Sequence, residues 1–93
     1  MQVKDKVVVV TGGADGIGAA LCRRFARDGA RHVAVVDRNG EGAAAVAAGI
    51  GGSAWTVDVS DSAAVAAMIA GVEAAQGRID LLCCNAGIGD GDP

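Results

Sequence analysis

Apolar residues occur in this chain as two kinds of run. Short unbroken blocks stand at Val7-Val8-Val9-Val10, Val33-Ala34-Val35-Val36, Ala54-Trp55-Thr56-Val57 and Ile79-Asp80-Leu81-Leu82-Cys83-Cys84. Between them lie longer stretches with apolar positions three and four apart: Ile17, Leu21 and Phe25 in the first, and Val65, Met68, Ile69 and Val72 in the third. The blocks read as strands buried on both faces and the spaced stretches as amphipathic helices. The expected strands cover about 6–11, Val33 to Val36 ending on Asp37, Ala54 to Val57, and Ile79 to Cys84. The expected helices run from about Gly16 to Asp28, Glu41 to Ala48 and Ser62 to Gln76, with Gly29, the segment Gly49-Ile50-Gly51-Gly52-Ser53 and Gly77 as stops.

Strand and helix alternate as β-α-β-α-β-α-β, and every crossover is long enough to hold a helix. This pattern predicts an α/β fold with a parallel sheet and helices on both faces. Four strands with right-handed crossovers match the first half of a dinucleotide-binding fold, which has the spatial strand order three, two, one, four. Strand four is apolar enough for a sheet interior, and an uncovered apolar edge invites aggregation. Residues 1–93 are therefore expected to be the N-terminal part of a single, longer domain.

Composition narrows the picture. Hydrophobic residues make up 52% and aromatics 2%, so the core must be built from Val, Ala, Ile and Leu. The net charge is −3, and Arg23, Arg24, Arg27 and Arg31 are interspersed with acids, which argues against nucleic-acid binding. Apolar runs fall far short of a membrane span and the start resembles no signal peptide. Three cysteines without a pairing pattern fit a reducing, cytoplasmic setting, and Cys22, Cys83 and Cys84 read as buried small hydrophobes rather than metal or redox groups. His32, the single histidine, reads as a solvated or helix-capping residue.

The candidate chemistry begins where strand one ends. Thr11-Gly12-Gly13-Ala14-Asp15-Gly16-Ile17-Gly18 is a glycine turn from strand into helix, which aims free backbone N–H groups and the positive end of a helix dipole at one point. A phosphate suits that point. Gly12 lets the chain turn, Gly16 lets a pyrophosphate approach, and Gly18 lets the helix lie close. Asp37, nineteen residues past Gly18 and at the carboxyl end of strand two, has the placement of a ribose-binding acid. Asp58-Val59 ends strand three in the same crevice, and Ser60 and Asp61 are available to cap helix three.

The spacing T-G-x-x-x-G-I-G is neither G-x-G-x-x-G nor a P-loop. It resembles the short-chain dehydrogenase/reductase family, and the resemblance extends over the whole chain through Asp37, Asp58 and Asn85-Ala86-Gly87. It implies a Rossmann-type doubly wound sheet, of which this is the first half, and hydride transfer between NAD(H) and an alcohol/carbonyl substrate in a homo-oligomer. It further implies that Asp58 receives the adenine amino group, that the Val59 N–H meets a ring nitrogen, and that Asn85-Ala86-Gly87 lets the backbone approach the adenosine side. The family expects asparagine where this chain has Cys84.

Cofactor choice follows from charge: Asp37 repels a 2′-phosphate, and the loop carries Asp15 and no cation, so NAD is expected over NADP. Arg38 works the other way, since arginine there supports NADP in some relatives. The family's catalytic Ser and Tyr-x-x-x-Lys have no counterpart to carry over, because the sequence holds no tyrosine and Lys4 and Lys6 precede strand one. Two other readings remain open: a dinucleotide-binding or redox-sensing module without catalysis, and an S-adenosylmethionine-dependent methyltransferase.

Overall fold

A computed structural model describes residues 2–85. The elements alternate as expected: β1 (Val7–Thr11), α1 (Gly16–Arg27), β2 (His32–Asp37), α2 (Gly40–Ile50), β3 (Ser53–Thr56), α3 (Ser62–Gln76) and β4 (Leu81–Cys84). All strand pairs are parallel and the order is β3-β2-β1-β4. This is the first half of a Rossmann-type sheet, with β1 and β2 at its centre.

Alternation along the central strands builds two cores. Val8, Val10, Val33 and Val35 face Ala19 and Cys22 of α1 and Ala43, Val46 and Ala47 of α2. Val7, Val9, Ala34 and Val36 face Met68 and Val72 of α3 on the other side. All four β1 valines are fully buried. Each valine so placed contributes about 1.5–3 kcal/mol through removal of its side chain from water. An unbroken valine run is therefore what a strand covered on both faces requires.

Several details depart from the sequence reading, each for a local reason. Ile17 was expected on the buried stripe of the first helix, but it is 69% exposed. The face of α1 that meets the sheet is instead Gly18, Ala19 and Cys22, with Phe25 and Ala26 packed beside them. Close approach at Gly18 rotates the helix so that small residues face inward. α2 continues past Ala48 to Ile50 and stops at Gly51, within the segment expected to end it, where Gly51 takes the left-handed conformation (φ 70°). β4 starts at Leu81 rather than Ile79 because Asp80 engages β1 with its side chain. Val7 N–H donates to Asp80 Oδ2 (2.8 Å), while Asp80 N–H donates to Val7 O (2.9 Å). Arg78 Nε donates to the same carboxylate and Arg78 Nη2 to Asp5 O, which clips the amino ends of β1 and β4 together.

The cysteines are not alike: Cys22 is buried, Cys83 half-buried, and Cys84 exposed on the outer strand β4. Leu82, also on β4, is 44% exposed. Burial raises the Cys22 thiol to a pKa of about 11, well outside the reactive range.

His32 is neither solvated nor a helix cap. It opens β2 and is half-buried, with Nε2 2.8 Å from the Ser53 hydroxyl, which also accepts from Trp55 Nε1–H at 2.9 Å. A neutral imidazole completes this chain by accepting the serine proton. Burial holds its pKa below the ordinary 6.5, so the unfolded chain takes up a proton before the folded one does. Its stabilising contribution is complete above pH 6.5 and is lost as pH falls through the lower folded value. Unfolding curves at stepped pH should show stability declining as pH drops below 6.5, and His32→Gln should flatten that decline. An unchanged slope in the variant would assign the decline to other groups.

Candidate functional site

Parallel strands all end on the same side of the sheet, so the segments after β1, β2, β3 and β4 converge there. After β1, the loop Gly12–Asp15 leads into α1. Gly12 (φ 69°) and Gly16 (φ 57°) both take the left-handed region. A Cβ on Gly18 would lie 1.9 Å from Gly12 O, so only glycine allows the first turn of α1 to rest against the loop. A Cβ on Gly16 would meet nothing within 4 Å: that side of the loop is open.

The start of α1 differs chemically from the other helix starts. The Asn39 side chain caps α2 and the Asp61 side chain caps α3, whereas Asp15 makes no side-chain cap on α1. The first intrahelical bond runs from Ala19 N–H to Asp15 O (3.2 Å), which leaves the N–H groups of Gly16, Ile17 and Gly18 outside the helical ladder. Those donors, the positive end of the helix dipole and the open space at Gly16 form a cradle for an anion.

Asp37 ends β2 beside this loop. Its Oδ2 accepts from Ala14 N–H (3.0 Å) and its Oδ1 from Asn39 N–H (2.9 Å). The exposed Arg38 follows it, near enough to Asp58 to help hold that carboxylate ionised. Asp58, fully exposed, accepts from both the N–H (2.9 Å) and the hydroxyl (2.7 Å) of Ser60 through Oδ1, and these bonds are the main cause of its lowered pKa. Ser60 therefore serves Asp58 and does not cap α3, a role that Asp61 alone fills by accepting from Ala64 N–H (3.1 Å). Val59 is 41% exposed next to Asp58.

After β4, Asn85 N–H reaches back to β1, donating to Thr11 O (3.2 Å) and Thr11 Oγ1 (3.1 Å), while the Thr11 hydroxyl donates to Cys83 O (3.4 Å). The buried Thr11 thus ties the carboxyl ends of β1 and β4 together. Asn85 Nδ2 is buried with no acceptor among the described residues. Ala86 and Gly87 lie outside the described residues. The sequence reading did not foresee the bond from Asp37 to Ala14 or the threonine tie. The leading Thr11, a hydroxyl at the end of an otherwise all-valine strand, was the one signal for the tie.

The region from residue 6 to 93 matches the family model for short chain dehydrogenase. The chain belongs to the short-chain dehydrogenase family. It is 48% identical over 92 residues to D-threitol dehydrogenase of Mycolicibacterium smegmatis, a match covering 94% of this chain and 35% of that protein. It is 40% identical to sorbitol dehydrogenase of Cereibacter sphaeroides, covering 97% and 36%. A solved structure described as ribose-5-phosphate isomerase from Brucella melitensis superposes with a TM-score of 0.87 at 38% identity, covering 94% of this chain and 34% of that one. The chain thus spans about a third of the length of the relatives it matches.

The two glycines in the first turn of α1 should respond to substitution for different reasons. Gly18→Ala must push α1 off the loop and should lower unfolding free energy by about 1–3 kcal/mol, the usual range for overpacking. Gly16→Ala meets no atom and should cost only the left-handed backbone strain, about 1–2 kcal/mol. Denaturant titration of both variants checks the first effect, and a Gly18→Ala variant as stable as wild type would refute the close packing described above.

Proposed function

We propose that this chain is the first, cofactor-binding part of an NAD-dependent oxidoreductase that acts on an alcohol/carbonyl pair. The observation that carries the reading is the pairing of an uncapped α1 start, open at Gly16, with the Asp37 carboxylate at the same end of the sheet. These are the two partners a dinucleotide needs, a donor cradle for its pyrophosphate and an acceptor for its ribose hydroxyls. The orphaned Asn85 Nδ2 adds a buried donor at the same end.

In this reading the N–H groups of Gly16, Ile17 and Gly18 hold the pyrophosphate, and Gly12 and Asp15 shape the loop that leads to them. Asp37 accepts the adenosine ribose hydroxyls, Asp58 accepts the adenine amino group, and the Val59 backbone N–H donates to the ring. Asn85-Ala86-Gly87 lines the adenosine side. A bound nicotinamide supplies the centre that accepts or gives hydride. The residues of this chain bind and orient it, and no tyrosine is available to move the substrate proton. That task is assigned to the Ser and Tyr-x-x-x-Lys set expected of the full-length enzyme, which we take to be a homo-oligomer.

NAD is preferred over NADP on charge. Two unit charges 4 Å apart repel by about 4 kcal/mol at an effective dielectric of 20, and half of that exceeds tenfold in affinity. Arg38 offsets part of the repulsion. A relative from a Sphingomonas strain, 43% identical over 84 residues, is named as an NAD(+) dehydrogenase of 2-dehydro-3-deoxy-L-rhamnonate, which supports the choice.

In the full-length protein, Asp37→Ala should weaken NAD binding by roughly ten- to a hundredfold through loss of a charged hydrogen bond, while NADP binding improves. Calorimetric titration of both cofactors against both proteins measures each half separately. A wild type that already prefers NADP would show that Arg38 outweighs Asp37.

A further inference from the structure

We propose that Asp37 is also a positioning residue for the glycine loop, holding it in its binding shape through Ala14 before any cofactor arrives. This inference rests on the dinucleotide-binding reading above and adds to Asp37 a second role, independent of the ribose.

The geometry is specific. Two successive loop amides dock on the end of β2: Gly13 N–H donates to Val36 O (3.0 Å) and Ala14 N–H donates to Asp37 Oδ2 (3.0 Å). The first bond is backbone to backbone and survives any substitution at 37. The second depends wholly on the side chain. The other carboxylate oxygen accepts from Asn39 N–H (2.9 Å), and Asn39 in turn caps α2 by accepting from Gly42 N–H (3.1 Å). α2 also begins hard against the loop, since a Cβ on Gly42 would lie 2.9 Å from Ala14 Cβ. One carboxylate therefore joins the loop after β1 to the turn after β2.

Both roles fit on one side chain. An ionised carboxylate offers about four acceptor positions. Ala14 and Asn39 use one on each oxygen, which leaves one on each oxygen, the number that two vicinal ribose hydroxyls require. The latch also sorts the loop donors. Ala14 N–H is turned toward Asp37 and away from the phosphate cradle, whose donors are then those of the first turn of α1. Without the carboxylate, the Ala14 peptide loses its anchor and the cradle must be ordered at the moment of binding, which lowers affinity for any ligand placed there, a loss that only a 2′-phosphate freed from the Asp37 charge outweighs.

A ligand without ribose hydroxyls separates the roles. Full-length wild type, Asp37→Ala and Asp37→Asn would be titrated calorimetrically with NAD and with its 2′,3′-dideoxyadenosine analogue. The expected result is that Asp37→Ala weakens binding of the analogue by about fivefold or more. Asp37→Asn, which keeps an acceptor oxygen, should fall between that variant and wild type. Equal analogue affinity in wild type and Asp37→Ala would overturn the proposal and leave the ribose role standing.

The second arm needs no cofactor. In the ligand-free protein, amide hydrogen exchange should show Ala14 protected in wild type and unprotected in Asp37→Ala, with Gly13 protected in both. Rapid exchange of Ala14 in wild type would overturn the latch even if the alanine variant failed to fold. Failure of wild type to bind NAD, with Ala14 protected, would instead sink the dinucleotide reading and leave the latch intact.

Discussion

The structure depends on burying β1 from both sides. A strand that packs against α1 and α2 on one face and α3 on the other has no solvated side, so each position from Val7 to Val10 must be apolar and of a size that fits. Parallel neighbours follow, since helices can cover both faces only when each crossover returns over the sheet. Once the strands are parallel, their carboxyl ends share one edge, and the loops after β1, β2, β3 and β4 must meet there. The site is a consequence of how the core is covered.

The family-level architecture was readable because each of its causes is local. Unbroken Val runs mark the doubly covered strands, and the three-four spacing of Val65, Met68, Ile69 and Val72 marks α3, whose predicted bounds coincide with the observed ones. Strand order followed from the match of the β-α alternation to a dinucleotide-binding fold. Position was harder to read wherever one residue does two things. Asp80 sits in an apolar block yet spends its carboxylate on Val7 N–H, which delays β4 by two residues relative to the pattern. His32 follows a helix in sequence but belongs to a strand in space, where Ser53 and Trp55, over twenty residues on, decide its state. Such partners lie beyond any local window.

In the site, the sequence spacing located Gly12, Gly16, Gly18, Asp37 and Asp58 at one edge, but could not show what each side chain touches. Ile17 illustrates the limit. Helical periodicity puts it with Leu21 and Phe25, yet the close approach at Gly18 turns it outward beside the open loop. Ser60 is another case, since its cap-like position suggested α3 while its hydroxyl lies 2.7 Å from Asp58. A short side chain near two possible partners takes the one the backbone brings closer.

The two ends of the sheet differ in how far their polar groups are matched with one another. At the amino-terminal end, polar groups are matched with one another: Val7 with Asp80, Asp80 with Arg78, Arg78 with the Asp5 carbonyl, and His32 with Ser53 and Trp55. The shallow concavity there, lined by Gln2, Val3, Lys6, Asp80 and Leu81, contains the carboxylate of that clip. At the carboxyl end, the Thr11 tie and the Asp37 bonds hold the frame, while donors and acceptors around them stay available. The first-turn amides of α1 have no cap, and Asn85 Nδ2 has no acceptor among the described residues. Unpaired groups of this kind are costly when buried and tolerable when a ligand or water completes them.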